Sequence, residues 1–124
     1  MTIHESAEDY LESILILRER RGTVRSIDIV NELGYSKPSV SIAMKKLREN
    51  GYISMAPDGL ITLNDSGMEI ARRIYHRHTI LTELFLRMGV SPENAAADAC
   101  KVEHDLSEET FSKIEAFVSH GQGA

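Results

Sequence analysis

Apolar residues recur at a helical period through most of the chain, and capping residues and glycines punctuate them. Ser6 followed three residues later by Asp9 reads as a capping box, opening a helix to about Arg20 whose buried stripe is Tyr10, Leu11, Ile14 and Leu17; Gly22 ends it. Ser26 is expected to cap a short helix, SIDIVNEL, stopped by Gly34. Ser36 caps a third, with Pro38 in its first turn, an apolar stripe of Val40, Ala43, Met44 and Leu47, and a stop at Gly51. The period then changes. In YISMAPDGLITLN, β-branched residues flank the turn signal Pro57-Asp58-Gly59, which predicts a short hairpin. Asp65 and Ser66 start a long helix to about Met88. Ser91-Pro92-Glu93 opens a fifth over 92–106, and Ser107-Glu108-Glu109 a sixth.

This order predicts a mainly α protein with a small β-hairpin. Two short helices joined by Gly34-Tyr35-Ser36 match a helix-turn-helix, and the hairpin after them matches a wing. The expected division is a winged helix-turn-helix over 1–70, a helical domain over 71–119 and a disordered tail over 120–124, within the terminal SHGQGA. An unspecialised small α+β bundle is the plainer alternative.

Composition narrows the picture. The 124 residues suit one domain, or one with a small appendage. Aromatics are only 6% and Trp is absent, so the core must be aliphatic. No apolar run approaches the ~20 residues that span a bilayer, and the acidic MTIHESAEDY lacks the order of a signal peptide. A single cysteine excludes an internal disulfide and favours a reduced, cytoplasmic protein with no membrane partner. The net charge of −5 is uneven: residues 22–57 carry five Lys/Arg against three acids, so the rest carries −7. A locally basic segment in an acidic chain permits nucleic-acid binding without demanding it.

With its apolar stripe packed inward, the third helix exposes Ser36, Lys37, Pro38, Ser39, Ser41, Ile42, Lys45 and Lys46. Small hydroxyls at a helix N-terminus suit phosphate, and the two later lysines can neutralise it. The first two turns hold no Arg, Asn or Gln to read a base bidentately. Readout of double-stranded DNA therefore leans on contact of Pro38 or Ile42 with thymine methyls and on DNA shape. Each lysine alone reads equally as a solvated charge.

Polar residues also occupy awkward places. At about 100° per residue, the fifth helix would have a wet face of Asp98, Lys101 and Asp105 and a core face of Ala95, Ala99, Val102 and Leu106. Cys100, Glu103 and His104 would then share a third face with Ala96 and Ala97. On the fourth helix His76 lies on the wet side, whereas His78 lies among Ala71, Ile74, Leu81, Thr82 and Phe85. Asp9 and Glu12 flank Ile16, one turn apart on the first helix. The plainer alternatives are a core histidine bonded to a carbonyl, a capping Asp9 and a solvated Glu12. Together, Asp9, Glu12, His78, Cys100, Glu103 and His104 offer one thiolate, two imidazoles and three carboxylates. A divalent cation would satisfy them at once. Mixed O/N/S donors disfavour Mg²⁺ and Ca²⁺ and fit Mn²⁺, Fe²⁺, Co²⁺ or Zn²⁺, with the thiol shifting preference toward the softer ions.

These residues carry a resemblance. EDYLESI, KPSVSIAMKKLRENGYI, Ile61–Gly67, HRHTILTELFLRMGV and CKVEHDLS are similar, in order and spacing, to the DtxR/MntR family of metal-dependent repressors over about residues 5–118. The resemblance implies a winged helix followed by a helical metal-binding and dimerisation domain. It also implies a homodimer on operator DNA and repression of metal-uptake genes in response to Mn²⁺ or Fe²⁺. Asp9 and Glu12 match first-helix ligands of the manganese type, and His78, Glu103 and His104 match ligands on the later helices. At Cys100 the manganese type has glutamate and the iron type cysteine. The iron type's second site would need a Glu and a His where Thr82 and Ala96 stand, and its extra C-terminal β-barrel domain has no counterpart in these residues. Two rivals stay open: a winged-helix regulator indifferent to metal, with a structural or redox-sensing Cys100, and an enzyme using Cys100 as nucleophile and His104 as base. The latter lacks a Gly-rich or oxyanion-type loop, so neither catalysis nor a small-molecule substrate is expected.

Overall fold

A computed structural model of the chain describes residues 5–120, apart from the side chain of Glu5. The described elements are α1 (Glu5–Arg21), α2 (Ser26–Leu33), α3 (Lys37–Glu49), β1 (Ile53–Met55), β2 (Ile61–Leu63), α4 (Asp65–Arg87), α5 (Pro92–Val102) and α6 (Glu108–His120). The chain divides into two compact units between Arg72 and Arg73, inside α4.

The first unit is built on an aliphatic core. α1 buries Tyr10, Leu11, Ile14, Leu15 and Leu17, α2 buries Ile29, and α3 buries Val40, Met44 and Leu47. Ser6 lies inside α1 rather than at its cap, because the helix already includes Glu5. α2 is capped one residue earlier than its sequence implies: the backbone N–H of Arg25 donates to the Asp28 carboxylate at 2.8 Å, and Ser26 is already helical. Gly34 closes α2 in the left-handed region, at φ 73°, with its N–H on the Val30 carbonyl. That backbone conformation is why glycine stands there. Ser36 caps α3 by accepting from Ser39 N at 3.2 Å, and Pro38 sits in the first turn, where no N–H is needed.

β1 and β2 pair antiparallel with Ile53 opposite Leu63 and Met55 opposite Ile61. Three residues per strand is short for an independent hairpin. It is held at both ends. Ile61 N donates to Val24 O at 2.8 Å beside the start of α2. At its base the Asn64 side chain donates to Gly51 O at 3.0 Å and accepts from Ser54 Oγ at 2.8 Å, while Asn64 O begins the α4 ladder by accepting from Met68 N.

The second unit comprises the rest of α4 with α5 and α6, and buries Ile74, Leu81, Ala95, Ala99, Phe111 and Val118. Ser91 and Ser107 cap α5 and α6 through Asn94 N and Thr110 N. α5 ends at Val102, four residues short of the expected 106, and residues 103–105 form a turn. His120 and Ser119 belong to α6, not to a tail; the rest of the expected disordered stretch, 121–124, lies outside the described residues.

Gly67 is the tightest approach in the first unit. A Cβ there would lie 2.2 Å from the Tyr52 carbonyl oxygen and 3.4 Å from Leu11 Cδ2. Alanine gains about 1 kcal/mol of helix propensity over glycine, but a backbone oxygen cannot swing aside as a side chain can. Gly67→Ala should therefore destabilise the protein by about 1–3 kcal/mol. A denaturant midpoint equal to or above that of the parent would contradict this account.

Candidate metal centre and nucleic-acid interface

On α3, all eight residues expected to face DNA (Ser36, Lys37, Pro38, Ser39, Ser41, Ile42, Lys45 and Lys46) are exposed, opposite the buried Val40, Met44 and Leu47. Ile42 is 58% exposed on this face. The hydroxyls are not equivalent. Ser36 Oγ accepts the Ser39 N–H and lies 2.9 Å from Ser39 Oγ, so both groups serve the helix cap.

Two supports of this face escaped the sequence reading. Tyr35, in the turn before α3, stands edge-on to Tyr10 of α1, with centroids 5.8 Å apart. Burial and the neighbouring Tyr35 raise the Tyr10 pKa above its ordinary value. Arg25 reaches the wing tip, its Nε donating to Asp58 O at 3.3 Å and its Nη2 lying 3.8 Å from the Asp58 carboxylate. In the sequence Arg25 counted only as one of five positive charges.

The second unit gathers four of the six candidate ligands: His78, Cys100, Glu103 and His104. His78 Nδ1 lies 3.0 Å from Glu103 Oε2, and His104 Nε2 lies 3.5 Å from Glu103 Oε1. Glu103 has no solvent exposure; the side chains of His104 and His78 are 2% and 28% exposed. Local structure explains the convergence. Glu103 is the C-cap of α5, its N–H still bonded to Ala99 O, and the following turn swings His104 round to the same carboxylate. The expected single helical face through 106 is thus replaced by a helix end plus a turn. Cys100, in the last turn of α5, is exposed, and its Sγ lies within 4.8 Å of a Glu103 carboxylate oxygen.

Asp9 and Glu12 lie one turn apart on α1, in the first unit. Glu12 is buried at 7% exposure, so it is not the solvated residue that the plainer reading made it; Asp9 is half-buried. Two imidazoles around a carboxylate form an N/N/O donor set that suits Mn²⁺, Fe²⁺, Co²⁺ or Zn²⁺. A carboxylate removed from water needs such compensation, since an uncompensated buried charge is very costly. On these grounds the residues present fit a divalent transition metal.

Arg77 was missed entirely. It is only 3% exposed. Nη1 donates to Glu103 O at 3.1 Å and Leu106 O at 2.8 Å, and Nη2 donates to Glu108 Oε1 at 2.8 Å. The guanidinium lies 5.0 Å from the Phe111 ring centroid. Its signal was spacing: Arg77 is three residues after Ile74 and four before Leu81, both buried, so it belongs to the inward stripe. His76 is exposed, as its face implied, and pairs with Glu115 of α6.

Comparison with known proteins adds the family. A sequence profile described as iron dependent repressor, N-terminal DNA binding domain, matches residues 2–60. A second, iron dependent repressor, metal binding and dimerisation domain, matches residues 64–122. The Transcriptional regulator MntR of Salmonella typhimurium is 37% identical over 121 residues, 97% of this chain and 77% of that relative. An uncharacterized HTH-type transcriptional regulator of Methanocaldococcus jannaschii is 34% identical over 116 residues, 92% of this chain and 93% of its own. A solved structure described as a manganese-dependent transcriptional repressor in complex with manganese aligns with a TM-score of 0.83 at 27% identity, covering 91% of this chain and 52% of the other. The chain thus spans about half the length of that solved protein. The resemblance in its motifs is borne out, and the chain belongs to the DtxR/MntR family of iron-dependent and manganese-dependent repressors.

Proposed function

We propose that the chain is a metal-activated, DNA-binding transcriptional repressor that controls metal-uptake genes and works as a homodimer in the cytoplasm. The observation that carries this reading is the buried Glu103 carboxylate facing His78 and His104, in a chain whose other half is a winged helix with an exposed lysine-bearing α3. The ligand set is Asp9, Glu12, His78, Cys100, Glu103 and His104, and the ion is Mn²⁺ or Fe²⁺, with Co²⁺ or Zn²⁺ able to replace it in vitro. A bound divalent ion supplies the positive charge that these carboxylates need. His78 and His104 orient the Glu103 carboxylate from two sides, and burial keeps water from competing for it. The relative named as manganese-dependent supports the choice of Mn²⁺, and the iron-dependent profile supports Fe²⁺.

The face of α3 enters the major groove of operator DNA. Lys37, Lys45 and Lys46 meet phosphate, and Pro38, Ser41 and Ile42 face base edges, where apolar contact with thymine methyls supplies the readout. Ser36 and Ser39 hold the helix start, whose dipole favours the phosphate chain. The chain acts by binding and carries out no catalysis. No described helix is long and apolar enough to cross a membrane.

Metal and operator must each tighten the other's binding by the same factor if they share one conformational equilibrium. Fluorescence anisotropy on operator DNA should show affinity at least about fivefold higher with Mn²⁺ or Fe²⁺ than with chelator. Equal affinity in both conditions, with folded protein, would sink the reading and favour a regulator indifferent to metal.

Cys100 sets the metal preference. Cys100→Ala should weaken the response to Fe²⁺, Co²⁺ or Zn²⁺ more than that to Mn²⁺, because thiolate is the softest donor in the set. An unchanged ranking of metals would remove the thiol from the site.

The lysines are phosphate contacts, not readers of sequence. Lys45→Ala should weaken binding to all sequences alike and lower the slope of log affinity against log salt by about 1. A loss confined to the operator would instead place Lys45 on a base.

A further inference from the structure

We infer that Arg77 is the positioning residue of the metal centre: its guanidinium fixes the turn that presents Glu103 and His104. This inference rests on the proposed metal-sensing function and extends it to a residue outside the ligand set.

The argument starts from the end of α5. The last four carbonyls of a helix lack intrahelical donors and are usually met by a left-handed glycine, by water or by side chains. No glycine lies between Ala99 and Ser107. Arg77 Nη1 reaches Glu103 O and Leu106 O, one at the start of the turn and one at its exit. Nη2 reaches Glu108 in the first turn of α6, and the cation lies over the Phe111 ring one turn further on, 5.0 Å from its centroid. A single planar group thus holds both ends of residues 103–106 and the helix that follows.

Sequence adjacency adds the second half. His78 is the next residue on α4, and its Nδ1 meets the Glu103 side chain. Residue 103 is therefore gripped twice from one helix: through its backbone by Arg77 and through its carboxylate by His78. The geometry needs guanidinium chemistry. Arginine presents several donors in a rigid fork, whereas lysine is a point charge on a flexible stem. Arg77→Lys preserves charge and loses the fork.

Partners that orient metal ligands are worth about 10–100-fold in metal affinity. Titration of the full chain with Co²⁺, followed by its ligand-field spectrum, separates the possibilities, with Glu103→Gln as control and circular dichroism to confirm folding. The expected result is a bound-metal spectrum in the parent, its loss in Glu103→Gln, and in folded Arg77→Lys an affinity at least about tenfold weaker with an altered spectrum at saturation. A merely structural role would lower the melting temperature and leave the saturated spectrum unchanged. Parent affinity and parent spectrum in Arg77→Lys overturn the inference. No ligand-field spectrum in the parent overturns the underlying metal reading instead. Should Arg77→Lys not fold, Glu108→Ala releases one arm of the fork while both carbonyl contacts stay available. That variant is expected to alter the saturated spectrum by less than loss of Glu103 does, and a parent spectrum there overturns the inference.

Discussion

The constraint on which the second unit depends is the carboxylate of Glu103, held with no exposure to solvent. Moving an ionised group out of water is expensive, and the cost falls only when opposite charge or hydrogen-bond donors surround it. Here the surroundings are two imidazoles, and the residue's own carbonyl is engaged by a buried guanidinium. Such a polar arrangement is a poor route to stability, since well-packed aliphatic residues of similar volume often do as well or better. The small unit nevertheless places Arg77, Glu103 and His104 in its interior beside Ala95, Ala99 and Phe111. That choice makes sense where the carboxylate has a task beyond packing.

The first unit is built on the opposite principle. Its core is aliphatic, and its polar bonds lie at caps and turns, where they define edges: Ser36 at α3, Asp28 before α2, Asn64 at the base of the wing. A face that must dock on a rigid duplex benefits from a support whose own side chains do not move. The arrangement also limits what α3 can read. On the proposed reading, with Ser36 and Ser39 committed to the cap and no Arg, Asn or Gln in the first two turns, discrimination would fall to contact and shape. On the same reading, affinity would come mainly from phosphate, which makes control by a second ligand more useful than a tight intrinsic fit.

How much of this was legible in the sequence follows from the range of the interaction concerned. Ser36, Gly34 and Gly51 act on their own helices, and all three were readable as caps or stops. The hairpin was readable because Asp58 and Gly59 carry their turn chemistry locally. Ser26 misled because a serine beside a helix start looks like a cap, whereas the contact that operates runs from Asp28 back to the Arg25 backbone. α5 was read four residues too long. Val102 and Leu106 continue its apolar period, and no glycine or proline interrupts them. What occupies the carbonyls beyond its end is Arg77, 26 residues away from Glu103 in the chain, and no local pattern carries that information. Of the candidate ligands, the sequence put Cys100, Glu103 and His104 on one helical face; in the structure Cys100 and Glu103 stand at the helix end and a turn brings His104 to the carboxylate that His78 also meets.

The same distance explains why an arginine rather than a lysine suits this position. Position 77 must enter an interior, satisfy two backbone carbonyls in different directions and still keep a counter-charge at the edge, supplied by Glu108, whose side chain is 77% exposed. Hydrogen bonds to a charged group are worth about 1.5–3 kcal/mol each when made and leave a larger penalty when one partner is removed. Lysine's three donors diverge from one compact nitrogen, whereas the arginine fork spreads its donors toward two carbonyls and a carboxylate from a head placed over Phe111. The net stabilisation is modest because burying the guanidinium itself costs energy, and Glu108 is too exposed to return much of it. The return is positional instead. The carbonyls at both ends of the turn are fixed relative to α4, and α4 also carries His78, so donor and carboxylate approach each other from a common frame. Two adjacent side chains on one helix point about 100° apart, which lets one take the backbone of residue 103 and the other its side chain.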